Sequence, residues 1–178
     1  FTFAFFSAQL ARFVISPVVP NITREFGVGN GSIGFALTAM WIAYALFHLP
    51  GWALGYRFGE RSVVIGALGF MPVGSLALSI APLFLFFVAS VVLLGVGGGL
   101  YYSASTSLLT KRTEHTGRAI GVHNMGAQVG ALAAPVVATA VVLTYGWRGA
   151  VLAGAALLLP TALLVRWWVD PTPPARPD

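Results

Sequence analysis

The 178-residue chain contains no cysteine, which excludes disulfide bonds, thiol catalysis and thiolate metal sites. Charge is scarce as well, because only 8% of the residues are Asp, Glu, Lys or Arg, against about 25% in a soluble domain. Hydrophobic residues make up 57% of the chain, and the mean hydropathy is +0.84. The composition excludes an ordinary water-soluble globule and predicts a helical protein that crosses the lipid bilayer several times.

The five acidic residues and three histidines are too few and too scattered to form a metal site or a catalytic pair. The glycines at 95 and 97–99 lie inside an apolar block with no strand before them, so they are not a dinucleotide-binding loop. We therefore predict no metal, no cofactor and no catalytic residue, and the chain is not expected to be an enzyme.

The apolar residues fall into six blocks that short polar stretches separate, and each block is long enough to cross a bilayer as a helix. The predicted helices are residues 1–19, 32–54, 62–80, 82–110, 118–144 and 147–169. The proline-rich segment 170–178 is predicted to be a cytoplasmic linker or tail. Since residue 1 already lies within an apolar block, we expect further residues to precede it.

The ten Lys and Arg residues exceed the five Asp and Glu residues, but all except Arg12 lie in the loops or near helix ends, so they indicate membrane orientation and not nucleic-acid binding. One side of the predicted bundle receives seven of them: Arg57, Arg61, Lys111, Arg112, Arg118, Arg166 and Arg176. The other side receives Arg24 and Arg148. The positive-inside rule predicts a plasma (inner) membrane protein with both termini in the cytoplasm.

A polar stripe on the first predicted helix carries the clearest functional information. At 100° per residue, Thr2, Gln9, Arg12 and Ser16 fall within an arc of about 80°. Arg12 is eight residues, or about 12 Å, before the break predicted at Pro20, near the middle of the bilayer. A guanidinium at that depth is typical of a substrate or ion pathway. Snorkelling, or a structural hydrogen bond to a carbonyl, is the alternative.

Two other helices carry similar stripes. In the second helix, Tyr44 and His48 lie on one polar stripe, and we consider proton sensing as a role for His48. In the fifth helix, Asn124 and Gln128 are one turn apart. Packing or interfacial roles are the alternative for these residues. The predicted substrate-binding residues are Gln9, Arg12, Tyr44, Asn124 and Gln128.

Small residues at four-residue spacing predict close helix packing at two places. In the fourth helix these are Gly95 and Gly99, and in the fifth helix Gly126 and Gly130 lie on the side opposite to the amides.

Three local motifs give the chain a family resemblance. The segment 50–61, with Arg57, Gly59 and Arg61, resembles the signature between helices 2 and 3 of the major facilitator superfamily of transporters, although Tyr56 stands where that signature has Asp. Gly121, Gly130 and Pro135 keep the spacing of the family's Gly-Pro motif in helix 5, which implies close packing. The turn at 145–148 is similar to the family's Gly-Trp-Arg turn before helix 6.

The resemblance implies an all-α membrane protein in which six helices, as two three-helix inverted repeats, form the N-terminal half of a transporter. It implies a conformational-gating loop made of Arg57, Gly59, Arg61, Arg112 and Arg118. The implied function is alternating-access transport of a small, possibly anionic solute. The implied partners are the lipid bilayer and a second six-helix half, either a C-terminal half or a second copy. The alternatives are a truncated remnant that transports nothing, or a membrane scaffold or accessory subunit.

Overall fold

The computed structural model describes residues 1–171, and these residues form helices and turns without any strand. The predicted tail lies almost entirely outside the described residues. The helices, with one 3-10 turn after the first, are α1 (Thr2–Phe13), the 3-10 turn (Ser16–Val18), α2 (Val19–Phe26), α3 (Asn30–Leu46), α4 (His48–Phe58), α5 (Glu60–Ser79), α6 (Phe84–Arg112), α7 (Thr116–Ala155) and α8 (Leu158–Trp168). The predicted all-helical class is confirmed.

Five helical segments are long and apolar enough to cross a membrane. They are Thr2–Phe26, Asn30–Phe58, Glu60–Ser79, Phe84–Arg112 and Thr116–Trp168. The first four have 20 to 29 residues, which suits one crossing each, whereas the fifth has 53 residues. The fifth segment is not one straight helix.

The chain reverses direction at Gly146, the residue of the predicted turn. Its φ of 67° lies in the left-handed region that glycine adopts without strain. Before Gly146, α7 runs parallel to α1. After it, the chain runs antiparallel to α1, since Gly154 packs on Val14 and Leu10 while the later Thr161 meets the earlier Ser7 at 3.0 Å.

Two glycine pairs let neighbouring helices approach until backbones touch. A Cβ on Gly126 or Gly130 of α7 would collide with the carbonyl oxygen of Thr2 or Phe6 of α1. Because these contacts advance four residues at a time on both helices, the two run parallel.

The second pair, on α6, produces the same arrangement. A Cβ on Gly95 or Gly99 would collide with the carbonyl oxygen of Met40 or Tyr44 of α3, so α6 runs parallel to α3. The chain buries a core of small and aliphatic side chains between these helix pairs.

The sequence predicted that the first helix ends near Val19, but the structure differs. It breaks after Phe13, tightens into the 3-10 turn that begins with Ser16 and Pro17, and continues as α2 to Phe26. Pro20 lies in the first turn of α2, where a missing amide donor is tolerated, so it does not end the helix. Gly27, with a φ of 63°, ends it instead.

The second predicted helix is divided into α3 and α4. The division falls at Phe47, three residues before Pro50. Proline cannot donate to the carbonyl four residues earlier, so Pro50 removes the bond that would continue α3 through Leu46. His48 is consequently the first residue of α4 and lies at the joint between the two helices.

Candidate functional site

Arg12 lies in the last turn of α1, immediately before the helix breaks. Its side chain is buried, with 2% of the residue exposed. The guanidinium carbon is 4.2 Å from the centre of the Tyr44 ring and 4.6 Å from that of Trp41, both on α3. Two aromatic faces therefore hold the cation in the interior of the bundle.

The guanidinium has no hydrogen-bond partner at Nε, Nη1 or Nη2 within the described part of the chain. It forms no ion pair there either; the two ion pairs join Lys111 to Glu60 and Arg148 to Glu25. A buried charge costs several kcal/mol unless a counter-charge and hydrogen bonds offset it. Two desolvated cation–π contacts return about 2 kcal/mol or more each, but they give the N–H groups no hydrogen-bond acceptor. Arg12 is therefore suited to receiving an anion.

Gly98 of α6 makes the space that Arg12 occupies. A Cβ on this residue would lie 2.6 Å from Arg12 Nη1 and 3.1 Å from Tyr44 Cδ2. The site thus needs α1, α3 and α6 together. The glycine string was visible in the sequence, but only the structure shows that its middle residue faces the arginine.

Gln9 lies one turn before Arg12, and its Oε1 is likewise buried without a hydrogen-bond partner among residues 1–171. Beside Arg12, a crevice of about 30 Å³ is lined by Phe13, Ser16 and Trp41, among others. That volume holds about one water molecule. Trp41, 42% exposed, lies between the guanidinium and the surface of the bundle.

An aromatic row extends from Tyr44 into the bundle. His48 meets Tyr44 edge-on, with ring centres 4.6 Å apart, and lies 5.3 Å from Tyr102 of α6. Its Nε2 is buried and lacks a hydrogen-bond partner in the described region. His123 of α7 differs, because its Nε2 lies 3.3 Å from Ser105 Oγ. Sequence analysis missed Tyr102, for which no periodic signal stood out.

The two amides of α7 lie away from Arg12. Since Thr2 is level with Gly126 and α1 runs parallel to α7, Arg12 is level with residue 136. Gln128 is eight residues from that level, about 12 Å along the axis, and Asn124 is farther still. Gln128 is exposed and Asn124 half-buried. The structure therefore brings Arg12 and Tyr44 into contact, with Gln9 one turn before Arg12 on α1, but leaves the α7 amides separate.

A buried carboxylate connects helices near the predicted gating loop. Glu60, 3% exposed, begins α5 right after Gly59, whose φ of 82° makes the turn from α4. It accepts a hydrogen bond from Ser107 Oγ at 3.1 Å and forms an ion pair with Lys111 of α6. The sequence analysis, which looked for an acid at Tyr56, missed Glu60; its place at a helix start was the available signal.

The other predicted gating residues lie at the same end of the bundle. Arg61 donates to the carbonyl oxygen of Arg166, and Arg112 donates to that of Asp170 at 2.6 Å. Arg57 is exposed and lies 5.3 Å over the Phe58 ring. Arg118 is also exposed and lines a cleft of about 360 Å³ between the end of α6 and the start of α7.

The opposite end carries a second cluster centred on Glu25. Its carboxylate accepts a hydrogen bond from Trp147 Nε1 at 2.6 Å and pairs with Arg148. Arg148 also donates to the carbonyl oxygen of Ala81, at 2.9 Å, in the turn between α5 and α6. The Gly-Trp-Arg turn thus connects the end of α2 to the turn between α5 and α6.

Of the predicted packing positions, Gly121 differs from the rest. A Cβ there would meet nothing within 4 Å, so no helix approaches it closely. Pro135 lies inside α7 on an exposed face, next to the buried Ala134.

Comparison with known proteins gives one family. The family described as the Major Facilitator Superfamily matches residues 1–178. An uncharacterised MFS-type transporter of Mycobacterium tuberculosis is 29% identical over 146 residues, which cover 81% of this chain and 25% of that protein. A probable sulfoacetate transporter of Cupriavidus necator is 26% identical over 171 residues, 95% of this chain and 40% of the relative.

A 4-hydroxybenzoate transporter of Pseudomonas putida is 26% identical over 158 residues, covering 85% of this chain and 34% of the relative. The chain spans a quarter to two fifths of the length of these three relatives.

Proposed function

The chain belongs to the major facilitator superfamily of membrane transporters, and on that premise we propose that it forms one half of a secondary transporter for a small organic anion. The observation that carries the proposal is Arg12, a buried cation whose nitrogens lack hydrogen-bond partners in the described region. The solute's anionic group binds the guanidinium, Gln9 and Tyr44 contribute polar contacts, and no covalent chemistry takes place.

The proposed half has six crossings, because the reversal at Gly146 divides the 53-residue segment into two. The two glycine contacts support two inverted repeats. The second crossing packs parallel to the fourth through Gly95 and Gly99, and the fifth packs parallel to the first through Gly126 and Gly130. A two-fold axis that exchanges crossings 1 with 4 and 2 with 5 converts one helix pair into the other, although the glycines lie on crossing 4 in one pair and on crossing 5 in the other.

The proposed partner is a second six-helix half, supplied by further chain or by a second copy. Among the candidate spans, Asn30–Phe58 and Thr116–Trp168 are the least buried. In the apolar stretch of these two spans, 22% and 28% of the residues are buried inside the bundle, against 50–56% in the other spans. These are the faces that a second half would cover. Rocking of the two halves then exposes Arg12 to each side of the membrane in turn.

We place both termini and the Glu60–Lys111 pair on the cytoplasmic side of the plasma membrane, as the loop cations predict. The surrounding residues Arg57, Gly59, Arg61, Arg112 and Arg118 form the proposed gating region. Asn124 and Gln128 lie towards that end, where we propose that they contact the solute on its way to or from Arg12.

Two of the relatives support the choice of an anion, although the relatives as a group carry various substrates. Sulfoacetate and 4-hydroxybenzoate, after which two of them are named, are organic anions at neutral pH. A scaffold function is less well supported, because a scaffold needs its buried polar groups satisfied, whereas Arg12 and Gln9 have buried polar atoms without partners in residues 1–171.

The test is direct binding and uptake by the complete protein that carries this chain. Binding of acetate, benzoate, methanesulfonate and phosphate is measured in nanodiscs by calorimetry, and uptake of the tightest binder in proteoliposomes. We expect Arg12→Gln to weaken binding at least tenfold, which corresponds to loss of a charge-assisted hydrogen bond of about 1.5–3 kcal/mol. Arg24→Gln, at an exposed arginine outside the site, is the matched control. Binding of none of the four, or equal binding by both variants, contradicts the proposal.

A further inference from the structure

We propose that His48 is the proton-binding residue of this transporter, and that a proton on His48 and an anion on Arg12 bind cooperatively across the Tyr44 ring. The inference rests on the proposed function, because it takes Arg12 as the anion site. It adds the coupling ion, which makes the transport a proton–anion symport.

The inventory of titratable groups leaves few candidates. The five acidic residues are Glu25, Glu60, Glu114, Asp170 and Asp178, and all of them lie at helix ends, in loops or in the tail. Glu25 and Glu60 are, in addition, paired with Arg148 and Lys111. Within residues 1–171, no carboxylate is therefore available near Arg12 to take up a proton.

Two of the three histidines lie inside helices that can span the membrane, and their surroundings differ. His123 shares a hydrogen bond with Ser105 at Nε2 and is stacked on Phe5, with ring centres 4.6 Å apart, although its Nδ1 is buried without a partner in the described chain. His48 has a buried Nε2 with no partner in the described chain. His48 also shares a neighbour with Arg12, since Tyr44 contacts both.

The geometry makes the two sites interact. Protonation would place a positive charge on His48, one ring away from the positive charge on Arg12, and two like charges at that spacing in a low-dielectric interior repel each other. An anion on Arg12 offsets the repulsion. By thermodynamic reciprocity, a proton on His48 then favours the anion by the same factor.

The other groups that face His48 do not change the direction of this cooperativity between proton and anion. From its own helix pair His48 faces Tyr44, from α6 it faces Tyr102, and from α1 the charged group is Arg12. None of the described contacts of His48 is with an acidic residue. The proton passes from water to the imidazole, the solute's anionic group binds Arg12, and the net charge added by the pair is zero.

The position of His48 also connects the proton to helix movement. It is the first residue of α4, at the joint that Pro50 creates. A rotation of α4 against α3 therefore changes the distance between His48 and Tyr44. With a proton on His48 and an anion on Arg12, the two added charges cancel. With only the proton or only the anion bound, one added charge remains.

The test measures protons and anions separately in the complete protein in nanodiscs. Acetate, benzoate, methanesulfonate and phosphate are titrated by calorimetry in buffers of different ionisation enthalpy, across about pH 5 to 8, the range in which histidine changes charge. We expect uptake of up to one proton per anion beyond that of the free ligand. The dissociation constant falls by up to about tenfold for each unit of decreasing pH.

In His48→Gln we expect anion binding without proton uptake and without this pH dependence. His48→Arg carries a permanent positive charge and serves as the second variant in case His48→Gln does not fold. We expect His48→Arg also to take up no proton on anion binding, and its affinity for the anion not to vary with pH. His123→Gln is the matched control and retains the uptake. Proton uptake that persists in His48→Gln, or is lost only in His123→Gln, overturns the inference while leaving the anion site intact. Failure of all four anions to bind contradicts the proposed function itself.

Discussion

The Arg12 guanidinium carbon lies 4.2 Å from the centre of the Tyr44 ring, so a charge from α1 rests on an aromatic face from α3. The contact joins two helices at the depth where α1 breaks. An aromatic face attracts a cation without neutralising it. The ring therefore holds Arg12 in place and leaves its N–H groups available to a solute.

Replacing Tyr44 separates the ring's contribution from that of its hydroxyl group. We expect Tyr44→Leu to destabilise the protein by about 1–2 kcal/mol, because the cation–π contact is lost in a desolvated site. Tyr44→Phe keeps the face and is expected to be within about 0.5 kcal/mol of wild type. Thermal unfolding in detergent compares the two; equal melting temperatures would show that the ring does not stabilise the cation.

Gly98→Ala tests the space around Arg12. The added methyl group would lie 2.6 Å from Nη1, so we expect displacement of the guanidinium, a loss of about 1–3 kcal/mol in stability and weaker anion binding. Gly69→Ala of α5 is the control, because a Cβ there meets nothing within 4 Å. Calorimetric binding and thermal unfolding of both variants check the prediction. An unchanged affinity in Gly98→Ala would mean that the guanidinium is free to move aside.

Gly130→Ala and Gly121→Ala distinguish the packing glycines of α7. The methyl group at 130 would collide with the carbonyl oxygen of Phe6, so we expect this variant to lose about 1–3 kcal/mol. At Gly121 the same change meets open space and is expected to be neutral or stabilising, since alanine favours a helix over glycine by about 1 kcal/mol. Melting temperatures measure both effects, and destabilisation by Gly121→Ala alone would refute the assigned contact.

Glu60→Gln tests the carboxylate that joins α5 to α6. We expect a loss of about 1–3 kcal/mol, because Glu60 is buried and Ser107 and Lys111 both lose a charged acceptor. Lys111→Gln is expected to cost at least as much as Glu60→Gln, because it leaves the buried Glu60 carboxylate without its counter-charge, whereas the half-exposed Lys111 can turn to water when Glu60 is neutralised. A double-mutant cycle on thermal stability gives the coupling. Zero coupling would show that the ion pair does not contribute.

The helical class could be predicted because a bilayer requires long apolar segments with internally paired backbones. The turn at Gly146 was predictable for a similar reason, since Gly-Trp-Arg interrupts an apolar run. The end of the first helix was not, because Pro20 can either stop a helix or stand in its first turn. Local sequence does not decide between these two outcomes.

The candidate site could be predicted in part. The stripe on the first helix indicated Arg12 and Gln9, because periodicity places residues on a face of one helix. The distance from Arg12 to Gln128 could not be predicted, since it depends on how far α1 is shifted along α7 when Gly126 contacts Thr2. The role of Gly98 was hidden for the same reason. Periodicity says nothing about the vertical alignment of two helices.

Arg148, at the start of the helix after Gly146, joins Glu25 at the end of α2 to the carbonyl oxygen of Ala81 in the turn between α5 and α6. Three tips at this rim of the bundle therefore share one side chain as their anchor. Separating any one of them from the others requires breaking a bond to Arg148 or to its neighbour Trp147.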